Sequence, residues 1–290
     1  MKIFHHFGKV VPPRSPINSV DLFIGHSLSR LTASYNDEFV RIRRSSDSEE
    51  ADFGAGDFLL TDSSIASNSS SGGIYDGEPL STFCSGTNGF AVVIRDQSGG
   101  GRNSTQTSTD AQPQIVESGS VITQMNGRAS MVFDGDNDFF NLPDLSDLTE
   151  GEVFWVVRAA NDPPLAEKSG SWRCGTGQEN TYPYSNGIIY DGFGSTARKT
   201  TVNPTPSLAS PRLYNVLSKS GEWTSRLDGS QLYTTATNTT SFPSSDNKLG
   251  ASSTSLFFDG DTSEFLLYDT DKSTDRTAIN TNIGGFYNIF

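Results

Sequence analysis

From Phe90 onward the chain reads as short apolar runs separated by polar turns. "FAVVI" (Phe90–Ile94) and "VFWVV" (Val153–Val157) are continuous apolar runs of strand length, the pattern of strands buried on both faces. "EFVRIRRSSD" alternates instead: Val40 and Ile42 fall on one side, Arg41 and Arg43 on the other, as in a half-buried strand. "SMVFDGDNDFFNL" is two apolar pieces around a Gly-Asp-Asn turn. "EWTSRLDGSQLYTT" predicts a hairpin about Asp228-Gly229, because both turn positions tolerate positive φ. "TSLFFDGDTSEFLLYD" repeats the strand, Asp-Gly, strand form, so a second turn is expected at Asp259-Gly260. Residues 62–75, "DSSIASNSSSGGIY", read as a loop.

Two stretches carry helical spacing. Ile24, Leu28, Leu31 and Tyr35 are four, three and four apart, one face of a short amphipathic helix. "STDRTAINTNIGG" predicts a second, with Ser273 as N-cap, Asp275 in the first turn and Gly284-Gly285 as the stop. The expected fold is therefore all-β: a two-sheet jelly-roll sandwich over residues 21–290, with a short N-terminal and a short C-terminal helix. Residues 1–20 stand apart. Lys2, Lys9 and Arg14 make them basic, and Pro12, Pro13 and Pro16 keep them extended. With Phe4 they form an arm that is either disordered or docks on a partner subunit.

Composition agrees with this pattern. Hydrophobic residues are 34% and charged residues 19%; 28 Gly and much Ser, Thr and Asn fill the rest, which suits turns and strands over helices. The net charge of −13 repels nucleic-acid phosphates and anionic membranes, so neither is an expected partner. No apolar run approaches the ~18 residues of a membrane span, and "MKIFHHFGKVV" is too broken for a signal peptide, so folding in a host cytoplasm is expected. Cys84 and Cys174 are expected as free buried thiols, and neither has a neighbouring Cys or His at zinc-ligand spacing.

Four groups of residues carry candidate chemistry. Arg95-Asp96-Gln97, at the end of an apolar run, is expected to fix a turn through hydrogen bonds to backbone; a sugar-hydroxyl contact is the alternative. The two "FDGD" copies bring Asp134, Asp136, Asp138, Asp259 and Asp261, with Glu264 close behind. They are expected to be solvated turns without a cofactor, and calcium is the lesser alternative should a strand bring the copies together. "WRCGTGQENTYPYSNGIIYDGFG" is the candidate glycan-binding loop. Trp172, Tyr182, Tyr184 and Tyr190 offer flat faces, and Gln178, Glu179, Asn180 and Asp191 offer planar polar groups; packing of the aromatics inside the sandwich is the competing reading. The histidines are His5, His6 and His26. The first two lie in the arm and the third on the polar side of the predicted helix, which argues against a Ser-His-acid triad.

"HSLSRLTASYNDEFVRIRRSSDSEEADF" followed by "IRDQSGGGRNSTQTSTDAQPQIV" resembles the catalytic-domain family of α-L-arabinofuranosidase B, whose relatives occur in bacteriophage virion proteins. "FFDGDTSEFLLYDTDKSTDRTAINTNIGGFYNI" is similar to the closing strands and helix of concanavalin A-like, laminin-G-like jelly rolls. The resemblance implies a lectin-like sandwich. It also implies where a hydrolase of this kind would carry its two carboxyl groups, which retaining chemistry needs about 5 Å apart. The nucleophile's stretch falls on "TVNPTPSLASPRLYNV" (Thr201–Val216) and the acid/base turn on Gly250–Ser255, and neither contains Asp or Glu. The family's adjacent cysteine pair falls on Trp172-Arg173. The expectation is therefore a non-enzymatic bacteriophage virion structural protein, a capsid-decoration, head-fibre or tail-associated subunit. It would be present in many copies or as a homo-oligomer, docked by Lys2, Phe4, Lys9 and Arg14 on other virion proteins, with weak binding to host surface glycan as an addition. The alternative is a glycoside hydrolase acting on arabinose-containing polysaccharide, with an acid pair such as Glu179 and Asp191 or Asp246. A free-standing lectin module is a third, weaker reading.

Overall fold

The computed structural model describes residues 17, 19–32, 34–54, 60, 66–69, 77–176 and 179–290. Lys2, Phe4, Lys9 and Arg14 of the arm, His5, His6 and Gln178 lie outside the described residues.

The strands of the N-terminal half are β1 (Leu22–Ser27), β2 (Val40–Arg44), β3 (Glu50–Phe53), β4 (Ala66–Ser69), β5 (Gly89–Ile94), β6 (Ser104–Thr105), β7 (Gln114–Glu117), β8 (Ser120–Val121), β9 (Met131–Asp134) and β10 (Phe140–Asn141). Those of the C-terminal half are β11 (Gly151–Ala159), β12 (Trp172–Arg173), β13 (Tyr190–Asp191), β14 (Lys199–Thr200), β15 (Arg212–Lys219), β16 (Glu222–Leu227), β17 (Ser230–Thr235), β18 (Lys248–Leu249) and β19 (Asp259–Tyr268). Two helices accompany them, α1 (Leu80–Phe83) and α2 (Arg276–Phe286).

Antiparallel pairing builds one layer in the order β17-β16-β15-β11-β19-β1. The other runs β4-β3-β2-β5-β7-β9, and a branch β5-β6-β10-β18-β12 extends it. The first residues of β19 also pair with β9, which joins the layers along one edge. The result is the all-β sandwich the apolar pattern predicts.

β11 shows why its apolar run is unbroken. Val153, Trp155 and Val157 enter the core between the layers, while Phe154 and Val156 face the other way, into a second apolar cluster. Ile279, Ile283 and Phe286 of α2 and Tyr287 just after it complete that cluster, so the helix roofs a sheet face that would otherwise meet water. Glu152, fully buried at the start of β11, locks the roof in place. Its carboxylate accepts bonds from Arg276 Nε (2.6 Å) and Nη2 (2.9 Å), from the Lys272 backbone N–H (2.8 Å) and from Asn215 Nδ2 (2.8 Å). A charge at this depth is tolerated because every bond that water would have made is replaced.

The N-terminal helix predicted over Ile24–Tyr35 is not formed. Its first residues are β1, paired with β19. Beyond it, Gln97 does for the backbone what helical bonds would have done: its side chain accepts from Leu31 N–H and donates to the carbonyls of Ser27 and Ser29. The helical apolar spacing there reflects burial of Leu28 and Leu31 beside an irregular chain. A single turn, α1, is the N-terminal half's helix among the described residues. At the other end, α2 begins after Asp275 and runs through Gly284-Gly285 to Phe286. Gly284 is small because Phe290 folds back on it: a Cβ there would sit 2.5 Å from the Phe290 ring.

The Asp228-Gly229 hairpin forms as predicted, with φ of 51° and 80°. Asp259-Gly260 does not form a turn. Both residues lie inside β19, where a Cβ on Gly260 would sit 2.2 Å from the Arg158 carbonyl oxygen, so glycine serves close strand approach. Within 62–75, Ala66–Ser69 is a strand against β3 where a loop was expected; its neighbours in that stretch lie outside the described residues.

Candidate functional site

The loop from Trp172 to Arg198 is built around a buried carboxylate. Asp191 accepts hydrogen bonds from Trp172 Nε1 (3.0 Å), Tyr214 Oη (2.9 Å) and the Phe193 backbone N–H (2.8 Å). Burial raises its pKa to about 6 against the pull of these donors. Asn180 ties the strands of the loop together, donating to the Trp172 carbonyl (2.9 Å) and accepting from Gly192 N–H (2.7 Å). Trp172 packs on Trp155 and Tyr214, with ring centroids 4.9 and 5.7 Å apart, and Tyr182 packs on the same two residues. Trp172, Asn180, Tyr182 and Asp191 are thus core residues, and the expectation that they contact sugar is corrected: all four side chains are sealed inside the sandwich.

The remaining described members of the predicted set come to the surface together. Glu179, Tyr184 and Tyr190 line a cleft of about 240 Å³ with Thr181, Arg198 and Leu256. The tyrosine rings meet edge to face at 5.9 Å. Arg198 lies over the Tyr190 ring at 4.9 Å, and its Nη1 donates to the Glu179 carbonyl (3.0 Å), which fixes the loop bearing the Glu179 carboxylate. Asn186 Nδ2 donates to Tyr190 Oη (2.9 Å). The Thr181 hydroxyl is buried and has no hydrogen-bond partner among the described residues. Flat apolar faces, a carboxylate, a guanidinium and an unspent hydroxyl are the groups a saccharide needs. Arg198, Thr181 and Leu256 were not singled out in the sequence. Arg198 stands in "STARKT", without a pattern to mark it, and Leu256 reaches the cleft from a segment distant in the chain.

Leu256 directly follows Gly250–Ser255, and Arg198 precedes Thr201 by three residues. The cleft therefore lies beside both stretches where the family resemblance places the catalytic acids. Glu179 is the carboxylate among its lining residues. Neither partner suggested for Glu179 joins it there: Asp191 is sealed in the core, and Asp246 is held by Arg173 (2.9 Å) and Lys248 (3.3 Å).

Arg95-Asp96-Gln97 is scaffold. Asp96 accepts from the backbone N–H groups of Gly25, Ser98 and Arg102, Gln97 pins 27–31 as described, and Arg95 pairs with Asp52 (2.7 Å). The two "FDGD" copies do meet, through the pairing of Asp134 with Asp259. Lys168 Nζ lies there, bonded to Asp136 (3.0 Å) and to the Asp134 carbonyl (3.1 Å), and Asp261 is paired with Arg158. Among the described residues no group of three His, Cys, Asp or Glu side chains is placed to hold a metal ion. His26 is buried in β1, not on a polar helix face. Desolvation lowers its pKa to about 4, and its ring nitrogens face the Arg102 carbonyl (3.0 Å) and Ser104 Oγ (3.4 Å). Cys84 and Cys174 are free, buried thiols whose pKa values burial raises.

No protein-family model and no curated protein matches the chain. Solved structures do. A mutant GH54 α-L-arabinofuranosidase soaked with 4-nitrophenyl α-L-arabinofuranoside is similar with a TM-score of 0.61 at 17% identity, over 92% of this chain and 63% of that one. An arabinofuranosidase complexed with arabinofuranosyl-α-1,2-xylobiose is similar with a TM-score of 0.59 at 18% identity, over the same shares. This chain thus spans somewhat less than two thirds of those proteins. At such identity the likeness establishes an arabinofuranosidase-like β-sandwich fold. The finding also corrects the expectation of a non-enzymatic virion structural subunit, since the matched structures are glycoside hydrolases.

Proposed function

We propose that the chain is a glycoside hydrolase acting on arabinose-containing or related polysaccharide at the Glu179–Tyr184–Tyr190–Arg198 cleft. The observation that carries this reading is that cleft residues Arg198 and Leu256 adjoin in the chain the two stretches that the family resemblance marks as catalytic, on a sandwich similar to arabinofuranosidases. Tyr184 and Tyr190 supply faces for a furanose ring, and the Arg198 guanidinium and Thr181 hydroxyl bond its hydroxyls. Hydrolysis breaks the bond between the anomeric carbon and the glycosidic oxygen, adds water to that carbon and returns a proton to the leaving oxygen. Glu179 is the cleft group suited to transfer that proton, as acid to the leaving oxygen or as base to the water. The stretches Thr201–Val216 and Gly250–Ser255 contribute backbone and packing but no carboxylate.

The test is turnover of 4-nitrophenyl α-L-arabinofuranoside and arabinose-substituted xylo-oligosaccharides by the chain and by Glu179→Gln. Positioned proton transfer contributes roughly 10²–10⁴ in rate, so the substitution is expected to lower kcat by at least ~100-fold, with KM little changed because the amide keeps the shape. Undiminished turnover in Glu179→Gln would remove Glu179 from the chemistry. No turnover of any of these substrates by the unmodified chain would refute the hydrolase reading.

A further inference from the structure

A second concavity lies on the face of the sheet β2-β5-β7-β9 and shares no lining residue with the cleft. It measures about 420 Å³, larger than the cleft, and its walls include Arg43 of β2, Phe90 of β5, Gln114 of β7, and Asp134 and Asp138 at the end of β9. Arg43, the cation of its lining, is held in place. Arg43 Nε donates to the Gln112 side-chain oxygen (2.7 Å) and Nη2 to the Thr109 carbonyl (3.1 Å), while the guanidinium lies over Phe90, 5.0 Å from its ring centroid. Arg43, Gln112 and Asp138 are 8%, 3% and 6% exposed.

Two of these buried groups are incompletely used. Asp138 Oδ2 accepts the Asp134 backbone N–H (3.1 Å), and Oδ1 has no partner among the described residues. The bonds made by Arg43 use Nε and Nη2, and Nη1 has no partner among the described residues. An unspent acceptor and an unspent donor, both on rigid and nearly buried side chains, border one groove. Both unspent atoms open onto the groove and not into the core, where the polar groups of a ligand can meet them.

We propose that this groove is a second saccharide-binding site, which takes neighbouring hydroxyls of a neutral sugar between the Arg43 guanidinium and the Asp138 carboxyl. A sugar hydroxyl both donates and accepts, so one group can give its hydrogen to the carboxyl oxygen while a neighbour receives the guanidinium N–H. The Gln114 side chain, whose Nε2 is committed to the Val116 carbonyl (3.0 Å), presents its oxygen as a further acceptor. Phe90, partly exposed, supplies an apolar wall. Asp110 and Asp134 outnumber the single guanidinium, so phosphate, sulfate and uronate are disfavoured. The site's role is to hold a polysaccharide chain on the sheet face, and its existence does not depend on hydrolysis at the cleft.

Isothermal titration of the chain carrying Tyr184→Ala and Tyr190→Ala isolates the groove. A neutral arabinose-substituted xylo-oligosaccharide is expected to bind at one site per chain. Adding Asp138→Asn, which exchanges an acceptor oxygen for an amide, or Gln114→Ala, at the groove's edge, should each weaken that binding at least tenfold with the melting temperature held or raised. Absence of binding in the tyrosine variant overturns the proposal, as does binding indifferent to both substitutions or tighter binding of a uronate-bearing oligosaccharide or inorganic phosphate. Turnover at the cleft with no binding here would defeat this site alone, and binding here without turnover would defeat the hydrolase reading alone.

Discussion

Asp138 illustrates how far a side chain's chemistry depends on its neighbours. Desolvation, helped by the charges of Asp134 and Asp136, raises its pKa to about 7. A carboxyl raised in the folded state favours folding while it is protonated. Its contribution is whole below the unfolded value near 4 and is lost as pH rises through the folded value, so the window is about pH 4 to 7. Asp138→Asn should therefore be more stable than the parent at pH 7–8, by on the order of 2–4 kcal/mol if the whole shift is realised, with the difference vanishing near pH 4. Urea denaturation at a series of pH values measures this; equal stability of the two proteins at every pH would contradict it. At this scale the sequence was legible in part. Gln97 and Asp96 could be read as turn-fixing groups because side-chain amides and carboxylates at strand ends satisfy backbone. Tyr182 and Tyr184 could not be told apart. They stand two residues apart in the same loop, yet one packs on Trp155 and the other lines the cleft. Which face a loop aromatic turns to is decided by tertiary packing.

At the scale of elements, α2 is the part whose attachment is most concentrated in a few groups. Arg276 and Glu152 form a charged pair in which Glu152 is fully buried, and Arg276 also reaches Asp271 (3.1 Å), itself bonded to Lys219. Removing one partner of a buried pair leaves the other charge unmatched, at a cost of about 3–5 kcal/mol. Arg276→Ala should lose about that much in urea denaturation, and Glu152→Gln introduced with it should recover part. A loss below ~1 kcal/mol would show that the apolar face of α2, not this pair, secures the roof. The strands were the legible elements, since alternation and continuous apolar runs distinguish one covered face from two. The failures share a cause. The Ile24–Tyr35 spacing matched a helix, but β1 found its bonds on β19 and Gln97 supplied the rest. Gly260 and Gly284 looked like punctuation, and both instead accommodate another group that comes too close for a side chain.

For the whole molecule, two layers joined where β9 pairs with β19 carry the groove on one sheet face, and the loop Trp172–Arg198 carries most of the cleft. The sandwich was readable from strand spacing and from the resemblance of its opening and closing segments. Function was not: the absence of Asp and Glu from two stretches points to a sandwich without chemistry, whereas the proposed site takes its carboxylate, Glu179, from another loop. A carboxylate's place in the chain does not set its place in a cleft. The central claim is that sugar binds between the two tyrosines and Glu179. A crystal structure of the Glu179→Gln chain soaked with 4-nitrophenyl α-L-arabinofuranoside tests it most directly. A furanose ring is expected against Tyr184 and Tyr190, its glycosidic oxygen within about 3 Å of the residue-179 side chain. A ring bound elsewhere on the sandwich, with the cleft empty, would contradict it.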